Sequence, residues 1–259
     1  MKVSIIGTGN VGFHLAKALR NAKQIDLVNI CGTSYKKAKS IKGQPGTIHT
    51  AEIGAMLPTD VVIIAVSDKK INDVSHQLAS NVSLTQTIIC HTSGSTASDV
   101  LRDHEQYGVF YPLQTFTKGR RVSFRKIPMC ICANSAAATA TLEALAKKLS
   151  DDVRLIEDKD RQQVHLSAVL VNNLNNHIIH LAQQRLNDHG IAPDILDSLI
   201  METVRKAAKL GAYHAQTGPA RRQDDGVTKS QLAALHNEPQ LLDIYKAVTN
   251  SITNTYQDK

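Results

Sequence analysis

The sequence predicts an α/β protein in which a doubly wound parallel sheet, over residues 1–157, is followed by an all-helical domain over residues 158–259. Three observations predict this division. A glycine-rich turn joins a short apolar strand to a helix at the start of the chain. Apolar strands then alternate with helical patterns, and beyond residue 157 only helical patterns follow.

The first element is a strand at residues 3–7 that leads into Gly7-x-Gly9-x-x-Gly12 and a helix at 11–21. Gly7 permits the tight turn, Gly9 lets backbone N–H groups approach a pyrophosphate, and Gly12 lets helix and strand pack closely. A turn without a ligand is the alternative, but a strand before the motif and a helix after it favour a dinucleotide-binding Rossmann domain. The residues predicted to contact the cofactor here are Gly7, Thr8, Gly9, Asn10, Val11 and Gly12.

The other elements of this domain alternate along the chain. Strands are predicted at residues 26–31, 47–49, 60–66, 87–91, 109–111 and 129–133, and helices at 35–41, 71–78 and 136–149. A further helix is predicted to follow the segment His91–Ser95 and to end at Leu101. The segment at 60–66 is continuously apolar, which is typical of a fully buried parallel strand.

The second domain is predicted to contain helices at residues 160–187, 193–210, 219–235 and 239–255. Gly190 and the pair Gly218-Pro219 separate them. The helix at 160–187 carries apolar residues on most sides, so we expect it to be largely buried.

Composition narrows the class of protein. With a net charge of +7 but no basic stripe interleaved with aromatic residues, the chain carries no nucleic-acid motif, and the charge suits an anionic cofactor and substrate or is ordinary surface charge. No apolar segment is long enough to cross a bilayer, and the N-terminus is predicted to be a strand, not a signal peptide, so we expect a cytoplasmic protein. The four cysteines are expected to be reduced and buried, without a metal site.

The end of the second strand bears on the choice of cofactor. NAD-binding domains place an acidic residue there to bind the ribose 2′-hydroxyl, and residues 30–37 contain none. They contain Thr33, Ser34, Lys36 and Lys37, which would attract a 2′-phosphate. The sequence therefore predicts NADP, with an ordinary solvated lysine face as the alternative. Val66 and Ser67, after the fourth strand, are expected to border the cofactor.

Candidate substrate residues follow the fifth strand and lie along the long helix. His91, Ser93 and Gly94 are expected at the carboxyl edge of the sheet, with Ser95 capping the next helix. On the long helix, His165 and Asn172 are seven residues apart and share a face, and Asn173, His177 and His180 lie alongside. A neutral histidine could pass a proton near pH 7. A hydrogen-bonded network at a helix or subunit interface is the alternative.

Several motifs together resemble one family. They are the glycine fingerprint, His91–Ser95, the string at residues 108–116, His165 with Asn173, and the segment at 217–224. In these motifs the chain resembles the Rossmann-like proteins that carry the C-terminal domain of unknown function 2520, usually described as NADP oxidoreductases. It is more distantly similar to pyrroline-5-carboxylate reductase and to the 6-phosphogluconate and 3-hydroxyacid dehydrogenases. The resemblance implies substrate-binding roles for Gln114 and Arg222 and a homodimer formed through the C-terminal helices.

The chain departs from these relatives at two places. Gly32-Thr33 stands where they often carry Ser-Arg, which weakens the NADP prediction. Ala168 and Val169 precede the two asparagines, so the lysine base of the hydroxyacid dehydrogenases is missing.

The sequence thus predicts an NADP(H)-dependent oxidoreductase that reduces a C=O or C=N bond of a small anionic metabolite. The alternative is a non-catalytic NADP(H)-binding sensor or regulatory protein. The catalytic candidates are His165, Asn173 and Ser93; the substrate-binding candidates are His91, Gly94, Gln114, Asn172, His177 and Arg222; the cofactor-binding candidates after the first turn are Thr33, Ser34, Lys36, Val66 and Ser67.

Overall fold

A computed structural model describes residues 1–81, 84 and 86–257. It divides the chain into two compact units, Met1–Asn173 and Leu174–Lys259, which are described separately below. Within the described residues, no helix combines the length and the apolar character needed to cross a membrane.

An eight-stranded sheet forms the centre of the first unit. Its strands are β1 (Lys2–Ile6), β2 (Asp26–Cys31), β3 (Ile48–Thr50), β4 (Val61–Ile64), β5 (Ile88–His91), β6 (Tyr107–Pro112), β7 (Met129–Ala133) and β8 (Val153–Leu155). Their order is β3-β2-β1-β4-β5-β6-β7-β8, and every pair is parallel except β6 with β7. The α/β fold class is confirmed. The short edge strand β8 was not predicted.

The strand order places a ligand-binding edge beside β1. The chain runs outward from β1 through β2 to β3, then returns to add β4 on the other side of β1. Ligands of open α/β sheets bind at such a switch point, outside the carboxyl ends of the strands. β4 is buried along its whole length, as its continuous apolar sequence predicts.

Among the described residues of this unit, the α-helices that accompany the sheet are α1 (Asn10–Asn21), α2 (Tyr35–Lys39), α3 (Ile71–Ala79), α4 (Ala136–Leu149) and α5 (Asp158–Val169). The helix predicted after Ser95 is instead a short 3-10 turn, Ser98–Leu101, whose N-cap is Ala97. The predicted capping role of Ser95 is therefore wrong. Asp158 accepts the hydrogen bond of the Ser98 backbone N–H, at 2.7 Å.

The second unit is helical. It contains α6 (Asn175–Asp188), a 3-10 turn at Pro193–Leu196, α7 (Asp197–Leu210), α8 (Ala212–Ala215), α9 (Asp225–Ala234) and α10 (Pro239–Tyr256). Arg185 forms an ion pair with Glu238, and the Tyr213 and Tyr256 rings stack with centroids 4.7 Å apart. The ion pair joins α6 to the start of α10, and the stacked rings join the end of α10 to α8.

Two expectations about the helical region are wrong. The helix predicted at residues 160–187 is interrupted by a π-turn, Leu170–Leu174, and its seven-residue pattern does not continue through that turn because a π-turn holds an extra residue. This segment is also exposed in the single chain, where Val171 is 74% exposed.

The helix predicted from residue 219 begins only at Asp225. Asp224 is its N-cap and accepts a hydrogen bond from the Val227 N–H at 3.1 Å, so Arg222 precedes the helix and does not lie in its first turn.

Candidate active site

A cavity of about 790 Å³ opens at the carboxyl ends of β1, β2 and β4. The predicted cofactor residues that line it are Gly7, Thr8, Gly9, Asn10, Val11, Thr33, Val66 and Ser67. The cavity thus lies at the switch point of the sheet, beside the N-terminus of α1.

The three glycines of the first turn differ in what surrounds them. Gly7 has a φ of +113°, and a Cβ there would lie 2.2 Å from the Ala65 carbonyl oxygen. A Cβ at Gly12 would lie 2.0 Å from the Gly7 carbonyl oxygen, so this glycine packs α1 against the turn and does not line the cavity. A Cβ at Gly9 would meet no atom within 4 Å. Only Gly9 therefore keeps open space that a bound group can fill.

The end of β2 supplies a polar wall, but not with all the predicted side chains. Thr33, Lys37 and Ser40 line the cavity, whereas Ser34 and Lys36 do not. Ser34 caps α2, where its hydroxyl accepts a hydrogen bond from the Lys37 N–H at 3.3 Å.

The charged residues of the cavity lining are mostly cationic. Lys37, Lys70 and Lys118 outnumber its single carboxylate, Asp73. No sequence motif identified Lys70 or Lys118 as a candidate cofactor contact. The residues present fit a dinucleotide that carries an additional phosphate.

His91 ends β5 and is fully buried. Its Nδ1 accepts a hydrogen bond from the Ser93 N–H at 3.1 Å, so Nε2 carries the proton and donates to the Ala97 carbonyl at 3.3 Å. Burial lowers the pKa of His91 to about 4. The neutral ring therefore shapes the loop after β5, with both ring nitrogens bonded to the loop backbone, and its role in substrate binding stays a prediction.

Ser93 is also used within this loop. Its hydroxyl accepts hydrogen bonds from the Ser95 and Thr96 N–H groups, at 3.2 and 3.0 Å, and donates to the Thr96 hydroxyl at 3.0 Å. The Ser93 hydroxyl is thus engaged within the loop, and its catalytic role stays a prediction. The exposed neighbour Ser95 donates to the Asp68 carboxylate at 2.7 Å and so joins this loop to the segment after Ser67.

Helix α5 is fastened to the same loop by a buried ion pair. Arg161 is fully buried, pairs with Asp158, and donates to the Thr96 carbonyl. Partial burial acts to raise the pKa of Asp158, but hydrogen bonds from Ser98 and Arg161 together hold it below its usual range. The charged pair thus fixes how α5 approaches the loop.

His165 lies one turn beyond Arg161 and contacts the loop directly. Its Nδ1 lies 3.1 Å from the hydroxyl of Tyr111, a residue of strand β6, and their rings meet edge to face with centroids 5.9 Å apart. A Cβ at Gly94 would lie 2.4 Å from His165 Nδ1 and 2.8 Å from Tyr111 Cζ. The loop backbone therefore rests on this pair, and Gly94 is the residue that permits it.

Two sequence profiles match the chain: the Rossmann-like domain over residues 1–115 and the domain of unknown function 2520 over residues 127–252. A crystal structure from Bacteroides fragilis, provisionally assigned as an NADP oxidoreductase, is 31% identical, with 98% of each chain covered and a TM-score of 0.89. The chain belongs to the family of Rossmann-like proteins with a 2520 domain. The resemblance inferred from the motifs is confirmed.

More distant structures share the fold. An imine reductase from Myxococcus stipitatus in complex with NADP⁺ is 13% identical, with 100% of this chain and 93% of that chain covered and a TM-score of 0.63. A pyrroline carboxylate reductase from Plasmodium falciparum with NADP bound is also 13% identical, with 98% and 97% covered and a TM-score of 0.59. No functionally curated protein matches the sequence.

The remaining candidates of this 2520-domain protein lie on exposed segments. Gln114 is exposed and accepts a hydrogen bond from the Thr115 N–H at 2.8 Å. Asn172 donates to the Asn173 side chain at 3.3 Å, and both are exposed in the π-turn. In the second unit, His177 and His180 are neighbours with ring centroids 6.1 Å apart, and Arg222 is exposed. Within the first unit, the structure brings His165 and Gly94 together.

Proposed function

We propose that the protein is an NADP(H)-dependent oxidoreductase that reduces a C=O or C=N bond of a small anionic metabolite. The observation that carries the proposal is the continuity of the cavity with the loop around Gly94. Ser67 lines the cavity, the next residue Asp68 binds Ser95, and Gly94 rests on His165. A nucleotide cleft thus leads to a group that can donate a proton. Bound NADPH would supply the hydride.

His165 is the group proposed to act on the substrate. Reduction of a C=O or C=N bond adds a hydride to carbon and requires a proton on the oxygen or nitrogen. His165 is half-buried and its Nδ1 is held by Tyr111, so Nε2 is the nitrogen available to a substrate. His91 and Ser93 shape the loop in this proposal. Asn173 is retained as a candidate catalytic residue. Asn172, Gln114 and His177 are retained as candidate substrate contacts.

The cofactor choice is proposed to depend on Lys37. We expect NADPH to bind about tenfold or more tightly than NADH, because a 2′-phosphate gains charge-assisted hydrogen bonds from Thr33, Lys37 and Ser40. Lys37→Glu should remove this preference. The measurement is a titration followed by nicotinamide fluorescence.

Lys36→Glu is the matched control, because Lys36 precedes Lys37 on α2 and does not line the cavity. It should leave the NADPH preference nearly unchanged. Equal affinity of the unchanged protein for NADPH and NADH would refute the proposal that Thr33, Lys37 and Ser40 bind the 2′-phosphate.

Arg222 is proposed to bind the acid group of the substrate. Arg221 donates to the Gln216 carbonyl and its guanidinium lies 5.1 Å from the centroid of the Tyr256 ring. Arg222 is exposed, and no hydrogen bond or ion pair of its side chain is seen within residues 1–81, 84 and 86–257. Arg222→Ala should raise KM with little change in kcat, because a binding contact present in both ground and transition states is lost.

Arg221→Ala is the control for that variant. It should lower the melting temperature, since Arg221 packs on Tyr256, and it should leave KM unchanged. If both variants only lowered stability, with the turnover of folded protein unaffected, Arg222 would have no role in substrate binding.

The proposed activity is tested by a panel of 2-keto acids and cyclic imine acids, with NADPH consumption followed by absorbance. We expect turnover of at least one compound class at a rate well above that of the Gly9→Asp protein. A protein that binds NADPH tightly but consumes none of it with any member of the panel would be the sensor, not the reductase.

A homodimer formed through the C-terminal helices is proposed as well. Leu199, Met201, Val204 and Leu210 of α7 are all more than half exposed in the single chain, and large areas of exposed apolar surface mark interaction sites. Light scattering at micromolar concentration should give twice the chain mass, and a monomer would contradict the proposal. The cytoplasmic location stays a prediction.

A further inference from the structure

Tyr111 and His165 form a pair whose chemistry depends on which partner donates the hydrogen bond. The Tyr111 hydroxyl lies 3.1 Å from His165 Nδ1, and Tyr111 is 8% exposed. Across the described part of the chain, this is the one hydrogen bond of that hydroxyl. In the sequence, Tyr111 belongs to a predicted strand and to a family motif, without a predicted role of its own.

The direction of the bond follows from the need to satisfy a buried donor. If Nδ1 carried the proton, the phenol would accept it, and the hydrogen of the phenol would then lack an acceptor among the described residues. If the phenol donates instead, Nδ1 acts as the acceptor and no buried donor is left unpaired. A buried donor without a partner costs about 1–3 kcal/mol, so the second arrangement is favoured.

The phenol keeps its proton near neutral pH. Burial raises the pKa of Tyr111 to about 12. Three titratable or charged groups also act on it: Cys130 on β7 and Asp68 raise its pKa, and Arg161 on α5 lowers it. Their opposing effects leave burial as the dominant influence, so the hydroxyl remains a donor.

The geometry of the pair is held from both sides. Arg161 binds the Thr96 carbonyl and Asp158, which fixes the turn of α5 that carries His165. On the other side the Gly94 backbone lies so close that any Cβ would overlap His165 Nδ1. The pair therefore has little freedom to separate.

We propose that Tyr111 is a positioning residue that holds His165 in the tautomer with its proton on Nε2 and returns a proton to Nδ1 when His165 gives that proton away. The tautomer part rests on the geometry alone, and the proton-return part rests on the proposed reductase function.

The proton balance of the step is complete. The hydride from NADPH forms a C–H bond, the π electrons move to the oxygen or nitrogen of the substrate, and that atom takes the proton from Nε2. Nδ1 takes the hydroxyl proton of Tyr111, so the imidazole stays neutral. This leaves Tyr111 as a phenolate, and a proton taken up from solvent restores its hydroxyl. The oxidised cofactor and the reduced product would then leave.

The tautomer is tested without substrate, by long-range proton–nitrogen correlation spectra of protein with isotope-labelled histidine. His165→Gln assigns the signals of His165 by their loss. We expect the unchanged protein to show His165 protonated at Nε2, and Tyr111→Phe to show a mixture of tautomers. Tyr107→Phe, on the same strand, is the matched control and should leave the His165 signals unchanged. A His165 protonated at Nδ1 in the unchanged protein would overturn the proposal.

Gly94→Ala tests the His165 tautomer independently, because the added Cβ would push His165 Nδ1 away from the Tyr111 hydroxyl. It should also release the tautomer, and an unaltered His165 spectrum in both Gly94→Ala and Tyr111→Phe would contradict the proposed pairing.

The proton-return step is tested by the pH profile of kcat. In Tyr111→Phe no phenol returns a proton to Nδ1, so the proton must come from solvent and kcat should fall as the pH rises, whereas the unchanged enzyme should hold its rate. The same profile in both proteins would overturn this step. If the unchanged protein reduced no compound of the panel but showed the expected tautomer, the proposed function would be contradicted. The tautomer assignment would still stand.

Discussion

Gly9→Asp is expected to weaken NADPH binding by more than about 100-fold while the protein remains folded. A Cβ at Gly9 meets no protein atom, so the backbone accepts a side chain without strain. The added carboxylate would occupy the space beside the helix N-terminus and would repel a pyrophosphate there. Fluorescence titration measures the affinity, and thermal melting shows that the fold persists.

The matched control is Gly226→Asp, the same change on helix α9 of the second unit. A Cβ there meets only the Asp224 side chain, at 3.7 Å, and an acidic residue is favourable near a helix N-terminus. NADPH affinity should be unchanged in this variant. If Gly9→Asp bound NADPH normally, the cavity at the start of α1 would not be the pyrophosphate site.

His165→Ala is expected to lower kcat by about 100-fold, the loss typical of a missing general acid. NADPH affinity should change little, because His165 does not line the cavity at the β1–β4 switch point. The experiment compares kcat and the NADPH dissociation constant of the same preparation, with turnover calculated per folded molecule.

His76→Ala serves as the control, because His76 is an exposed histidine of α3 whose Nδ1 lies 3.0 Å from the Asp103 carboxylate. Its kcat should equal that of the unchanged protein. A His165→Ala protein that melted at a lower temperature but kept its kcat would assign His165 a structural role beside Tyr111.

The parts of the site that depend on local sequence were predictable. The glycine turn is one example, because strand, turn and helix follow one another within the first 21 residues. The absence of an acidic residue after β2 is another, because it can be read from the sequence once the end of the strand is located. The end of β5 was located in the same way, and its loop does contact His165.

The parts that depend on tertiary contacts were not predictable. Lys37 lines the cavity and Lys36 does not. Ser34 caps α2, and this start point determines which of the two lysines faces the cavity. The loop after β5 uses His91 and Ser93 for its own hydrogen bonds, and no pattern in the sequence separates such residues from substrate contacts. Arg161 and Tyr111 lie 50 residues apart, so only the folded structure brings both to one loop.

Transfer of deuterium tests the central claim most directly. The protein is given NADPH deuterated at the transferred position of the nicotinamide ring, on each face in turn, with the 2-keto and cyclic imine acids of the panel. Mass spectrometry of the products reports the transfer. A reductase gives a product with one deuterium from one face only, and His165→Ala lowers its yield. Tight NADPH binding with no deuterium in any product, from either face, would contradict the account and favour a cofactor sensor.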